Sequence, residues 1–334
     1  MRLCGTLFIL GLLMECIVAA EIKIEKDTAT GWDIYTLSQG ETAIKVVPAA
    51  GANVESVVHR GAEYFHQPAE LKDLPGVGSG NPILYPTPNR IKGASFEFEG
   101  KRYEFPKGGG GNFIHGLVHS EAFHVDSTAV QADSAEITCS LTFAPGGRPY
   151  ELFPWEHTFR MKITVRNGSV RWDYEVDNDK SRRNLPFGVA FHPYIAYQKS
   201  RKESYLLVPA QSLMESFNQL PSGKLLQLDG QPLDARTPVS LEGYNSDDVF
   251  FGMSPEKPAK LEFRDVHRSI TFKASPEFTH LVVWTPDRPY LGIENQTCST
   301  DAHNLASQGM NAVAHLQICP PGEKRSGSVE YVFE

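Results

Sequence analysis

Cysteine is scarce in this chain: five in 334 residues. Cys4 and Cys16 lie in the first twenty positions, which leaves Cys139, Cys298 and Cys319. Three thiols close at most one disulfide and leave one unpaired. No CxxC pair occurs, so a structural zinc site is not expected, and a core of this size does not need disulfides. Helical periodicity is nearly absent as well; only the region 299–315 has room for one or two short turns. Basic residues are not in excess, with 32 Lys and Arg against 40 Asp and Glu for a net charge of −8. That balance argues against nucleic acid or an anionic membrane as a partner. Also missing are a nucleotide-binding glycine motif, an internal repeat and any composition shift that would mark a domain boundary. The sequence carries no sign of an oligomeric state.

Only the N-terminus holds a long apolar run. "MRLCGTLFILGLLMECIVAAE" has Arg2, an apolar stretch over 7–14 and small residues before Glu21. This is the pattern of a secretory signal peptide, with cleavage expected after Ala20. The stretch is too short for an ordinary transmembrane helix. Cys16 raises the idea of a lipid-anchored cysteine, but Glu15 is a poor neighbour for that signal. The expectation is export to a periplasm or the exterior, with 1–20 as signal peptide and 21–334 as one domain.

What is present is period-2 alternation. "SAEITCSLTFA" (134–144), "HTFRMKITVRNGSVRWDYEVDN" (157–178), "LEFRDVHRSITFKA" (261–274), "HLVVWTP" (280–286) and "SGSVEYVFE" (326–334) are short, alternating and rich in Val, Ile, Thr, Phe and Tyr. Such runs read as half-buried strands. "VRNGSV" sets Asn-Gly between two of them, a strong hairpin signal. Gly and Pro together number 51, spread as punctuation. The fold expected is all-β, a large antiparallel sandwich with function on loops or on a concave sheet face.

Polar groups stand in aromatic, strand-like surroundings at "NPILYPTPNRIKG" (81–93), "GNFIHGLVHSEAF" (111–123), "LPFGVAFHPYIAY" (185–197), "GYNSDDVFF" (243–251) and "YLGIENQTCSTDAHN" (290–304). Glu294 ends an apolar run, and a buried acid is costly unless something pairs with it or uses it. His115 and His192, each preceded by apolar residues, read equally as core histidines. His115 and His119 would share a strand face, a weak metal pattern, because such pairs chelate mainly on helices. His119, His157 and His303 are assigned to surface or packing. Arg90 offers a fixed fork of donors. Asp247 and Asp248 are turn acids or acceptors for hydroxyls, with Phe250 nearby for stacking. Tyr85, Tyr194 and Trp284 serve equally as sugar-facing aromatics or as core. Two imidazoles, a guanidinium, carboxylates and aromatic faces together suit a neutral polyhydroxylated small molecule.

The order of these stretches resembles the aldose 1-epimerase (galactose mutarotase) family. "PTPNRIKG" is similar to its Asn-Arg-Ile segment, "NFIHG" to its Asn-x-x-His-Gly block and "FHPY" to its His-x-Tyr block. "NSDDVF" is similar to its Asp-x-x-Phe/Tyr turn, and "IENQ" to its late Glu block. The landmarks run in the family's order from about residue 43 to the C-terminus. The resemblance implies a large β-sandwich with a sugar cleft on a concave sheet, and anomer exchange of a free aldose without a cofactor. It also implies Glu294 as catalytic base, His192 as general acid, and Asn89, Arg90, His115 and Asp247 as substrate contacts. An acid–base pair of this kind predicts a bell-shaped pH profile, with the acidic limb from Glu294 and the basic limb from His192. The chain departs from the family at Asn295, where proline is frequent after the glutamate. It also lacks any Gln over 232–295, where some members have one, and its "HGLVHSEAF" lacks the double glycine of the better-known galactose enzymes.

Three rivals remain at this level. A hexose-6-phosphate epimerase on the same fold would need further cations at the cleft mouth, for which Lys107, Arg182 and Arg183 stand in loops. A non-catalytic carbohydrate-binding protein would keep the aromatic and Arg groups but would need neither His192 nor Glu294 as a pair. An accessory sandwich domain would belong beside a polysaccharide-degrading domain, and none is fused here.

Overall fold

Alternation decides the architecture. In the computed structural model, which describes residues 19–334, successive residues of each long strand face opposite ways. All of the expected signal peptide but Ala19 and Ala20 therefore lies outside the described residues. In the strand Ser169–Asp177, Val170, Trp172, Tyr174 and Val176 are buried and the residues between them point out. His157–Arg166 does the same with Phe159, Met161, Ile163 and Val165. Asn167-Gly168 joins these two strands, with Arg166 paired to Ser169.

Three sheets carry most of the chain. A nine-stranded sheet includes Ala135–Phe143, His157–Arg166, Ser169–Asp177, Lys324–Phe333 and Arg268–Ala274 in that spatial order. An eight-stranded sheet runs Leu220–Leu226, Ser212–Phe217, Asp247–Phe251, His280–Trp284, Tyr290–Gln296, Ala190–Phe191, Ile83–Leu84; Tyr194–Ala196 also pairs with Tyr290–Gln296. A five-stranded meander, Glu21–Lys26 to Ala62–Glu63, completes the set. The pairings within all three are antiparallel.

The first two sheets share one core. Phe250, Leu281, Val283, Leu291 and Ile293 from the eight-stranded sheet join Ile163, Trp172, Phe272 and Tyr331 from the nine-stranded one. The Trp172 and Phe191 rings meet across the interface at 6.0 Å. A fully buried large apolar side chain contributes about 1.5–3 kcal/mol. Cys139, Cys298 and Cys319 are buried, and none is bonded to another. The expected turns in 299–315 are two short helices, Ala302–Ser307 and Asn311–Ala314. Among the described residues no helix is long and apolar enough to cross a membrane.

Candidate active site

Register, not proximity in sequence, assembles the site. In Tyr290–Gln296, the residues Leu291 and Ile293 point into the shared core. Gly292, Glu294 and Gln296 therefore share the other face of the sheet. Pairing sets Glu294 beside Val282, Gly292 beside Trp284, and Trp284 beside Asp247. On the far side Gln296 pairs with Ala190 and Gly292 with Tyr194. His192 lies between those two pairings, where Pro193 interrupts the strand and cannot donate to the ladder. The His192 backbone N–H instead donates to the Pro82 carbonyl at 3.1 Å.

This geometry brings His192 against Glu294. Nε2 of His192 stands 3.3 Å from Oε1 of Glu294, and the residues are 5% and 2% exposed. The second carboxylate oxygen, Oε2, accepts from Gln296 Nε2 at 3.1 Å. Gly292 makes the room: a Cβ there would lie 3.3 Å from Glu294 Oε1 and 3.5 Å from Trp284 Cε3. The His192 ring stacks on Tyr194 at 4.7 Å and meets the Trp284 edge at 5.7 Å. His115 approaches at 5.2 Å between ring centroids, edge to face. The Nδ1 atoms of both histidines are buried without a hydrogen-bond partner among the described residues.

Burial drives the acid–base pair apart. It pushes the Glu294 carboxyl well above the usual carboxylate range, with the Asp247 charge adding to the effect. The Gln296 hydrogen bond and Arg90 pull the other way. Burial also pushes the His192 imidazole down to about 4, and His115 well below its ordinary value. Removing charge from a dry site always acts in these two senses. Both shifts favour the uncharged pair, a carboxylic acid beside a neutral imidazole, over the ionic one. Shifts in these directions run against the order of limbs expected from the sequence, since they favour His192 as the group of an acidic limb and Glu294 as that of a basic limb.

Arg90 is held from both sides. Asn89, His115 and Asp301 all take left-handed backbone, with φ of 52°, 66° and 58°. The His115 N–H donates to the Asn89 carbonyl at 2.7 Å, and the Asp301 N–H to the Arg90 carbonyl at 2.9 Å. The residue after His115 must be glycine, since a Cβ on Gly116 would sit 2.4 Å from the Tyr85 carbonyl oxygen. Nη1 of Arg90 donates to Asn89 Oδ1 at 2.8 Å, and Nη2 to Gln219 Oε1 at 2.6 Å. Gln219 Nε2 in turn donates to Asp247 Oδ2 at 2.5 Å, while Arg90 Nη2 and that oxygen are 3.9 Å apart. Burial raises the Asp247 carboxyl, and Arg90 opposes the shift.

His192 thus meets Glu294 on one side and the His115 ring on another, while Asn89 bonds Arg90 and Gln219 links Arg90 to Asp247. The structure decides between alternatives that the sequence left open. Phe250 is fully buried on the core face, out of phase with Asp247, and Asp248 has the parity of Phe250 rather than that of Asp247. Tyr85 is core, stacked on Phe159 at 4.3 Å. His115 and His119 do not share a strand; His119 lies in the turn Val118–Ser120 and bonds the Pro75 carbonyl through Nδ1 at 2.9 Å. Among the described residues no three His, Cys, Asp or Glu side chains gather as metal ligands. Gln296 and Gln219 escaped the sequence reading. Gln296 was within reach of it, two residues beyond Glu294 on one strand; Gln219 carried no signal, being 129 residues from Arg90.

The family model for aldose 1-epimerase matches residues 33–332. A galactose mutarotase-like protein from Clostridium acetobutylicum superposes with a TM-score of 0.86 at 21% identity, over 95% of this chain and 99% of that one. Galactose 1-epimerase from Lactobacillus acidophilus NCFM gives 0.77 at 16% identity, over 95% and 99%. The GalM/aldose epimerase homologue from C. elegans gives 0.71 at 14% identity, over 95% and 99%. At such identities the likeness of structures speaks for the fold.

Proposed function

This chain belongs to the aldose 1-epimerase family, and on that premise we propose that it interconverts the α and β anomers of a free, neutral aldose. The observation that carries the reading is the 3.3 Å approach of His192 Nε2 to Glu294 Oε1 on the floor of a polar, aromatic face. Anomer exchange moves two protons at two oxygens bonded to one carbon. The groups serving those oxygens must be near neighbours, and each must reach its own atom. The Glu294 carboxylate takes the proton of the C1 hydroxyl. The bond from C1 to the ring oxygen breaks, and the ring oxygen takes a proton from the His192 imidazolium. Rotation about C1–C2 and closure by the reverse transfers give the other anomer.

The proton count of the pair does not change between its ionic and neutral forms. The ionic form meets the closed sugar, and the neutral form remains beside the open aldehyde. Burial favours the neutral form, so it strengthens both the base and the acid for the ring-opening step. Arg90 and the Gln296 donor keep the carboxylate form accessible. Asn89, Arg90, His115 and Asp247 are assigned to the sugar hydroxyls, and Trp284 to its C–H face.

A phosphorylated substrate would need cations to spare. Arg183 is engaged elsewhere: it donates to Tyr103 Oη at 2.9 Å and to the Pro154 carbonyl, and lies over the Trp155 ring at 4.7 Å. That removes one of the three cations the sequence offered, and we expect activity on neutral aldoses with little gain from a 6-phosphate. Polarimetry or NMR on freshly dissolved single anomers, with the 6-phosphate esters as a parallel arm, measures this. A higher kcat/KM for glucose 6-phosphate than for glucose would transfer the assignment to phosphosugars. Failure to accelerate exchange of any aldose would remove the activity altogether.

A further inference from the structure

We propose, resting on the epimerase reading, that Gln219 is a specificity-determining residue. Its carboxamide closes the gap between Arg90 and Asp247 and presents its remaining donor and acceptor to a hydroxyl of the sugar. Three observations carry this. The first is chemical matching. A guanidinium only donates and a carboxylate only accepts. Arg90 and Asp247 stand 3.9 Å apart, too far for a hydrogen bond. The Gln219 amide accepts from one at 2.6 Å and donates to the other at 2.5 Å. A primary amide has two N–H groups and two lone pairs, so one of each is left over.

The second observation is where the amide comes from. Ser212–Phe217 and Leu220–Leu226 form a hairpin at the edge of the eight-stranded sheet, with Phe217 paired to Leu220. Its tip reaches from the sheet edge to the site, and Gln219 is exposed there. The third is backbone cost. Asn218 and Gln219 both have positive φ, 51° and 63°. A two-residue turn of this shape favours Asn followed by Gly. Glutamine in left-handed backbone carries a steric cost that glycine escapes. Glycine would make this turn more easily, so the side chain at 219 stands there at a local backbone penalty.

The test is Gln219→Gly in the full chain, which relieves the turn while deleting the amide. The melting temperature should stay level or rise, which separates the effect from misfolding. For the preferred aldose, KM should rise about tenfold with kcat within about threefold, the split expected when binding alone is lost. Discrimination between aldoses that differ at one hydroxyl should fall, because a site built to bond a hydroxyl rejects its absence strongly. Gln219→Glu should also raise KM, since a carboxylate has no donor for Asp247. An unchanged or lowered KM with an unchanged sugar ranking in Gln219→Gly would overturn the proposal. Calorimetric binding of the same sugars separates it from the catalytic reading. If the wild type binds sugars but exchanges no anomers, the activity fails while a weakened affinity in Gln219→Gly still supports Gln219. If the wild type binds none of them, both fall.

Discussion

Two buried histidines, His157 and His192, have nearly the same burial and very different company. Both are almost fully buried, and burial pushes both imidazoles down to about 4. His157 uses both ring nitrogens: Nε2 meets Tyr85 Oη at 2.6 Å, and Nδ1 meets the Trp155 carbonyl at 2.7 Å. Its ring stacks on Phe143 at 4.2 Å. His192 has an unpartnered Nδ1 and a second buried titratable group against Nε2. A lowered pKa therefore does not identify a functional histidine. What sets His192 apart is an incomplete set of partners among the described residues beside a buried acid, the feature on which the proposed role rests.

The comparison breaks most sharply under substitution of the acid–base pair. Glu294→Gln and His192→Ala should each lower kcat by about 10²–10⁴-fold, the usual loss for a general base or acid. Sugar affinity should change little, as isothermal calorimetry would report. A folded Glu294→Gln protein that exchanges anomers at the wild-type rate would take Glu294 out of the chemistry. His157→Phe should do the opposite. It leaves the Tyr85 hydroxyl and Trp155 carbonyl unpaired in the core, at about 2–4 kcal/mol of stability. Activity per folded molecule should persist.

Stability against pH sharpens the contrast. The His157 pKa is depressed on folding, so its contribution is full above about 6.5 and is lost as pH falls through about 4. The destabilisation by His157→Phe should therefore shrink in acid, by about 1.4 kcal/mol per pH unit within that window. Glu294 has a raised pKa, so its contribution is full below 4.5 and is lost as pH rises through the folded value. Glu294→Gln should match wild-type stability near pH 4 and exceed it near pH 8. Melting temperatures of the three proteins across pH 4–8 measure both trends. A flat difference for either variant would contradict the corresponding burial argument.

The smallest expected effect is at Gln296. Replacing it with Leu removes the donor to Glu294 Oε2 and lets the carboxyl hold its proton to higher pH. We expect kcat/KM to fall about tenfold and the basic limb of its pH profile to move upward. A purely structural role would lower the rate without moving the limb.

Alternating strands and the Asn-Gly hairpin were legible in the amino-acid order, because a period of two is a local property. So were Glu294 and His192, as polar residues stranded in apolar runs, and Gln296 shared that signal by parity. What lay beyond the sequence was anything set by register between distant strands. That includes which face Asp247 shares with Trp284, why Phe250 points inward, and how Gln219 comes to stand between Arg90 and Asp247. It also includes the protonation of the pair. A carboxylate and an imidazole have ordinary pKa values in any short peptide. Only the packed sheet removes the water that kept them so, and that removal is what moves the carboxyl up and the imidazole down.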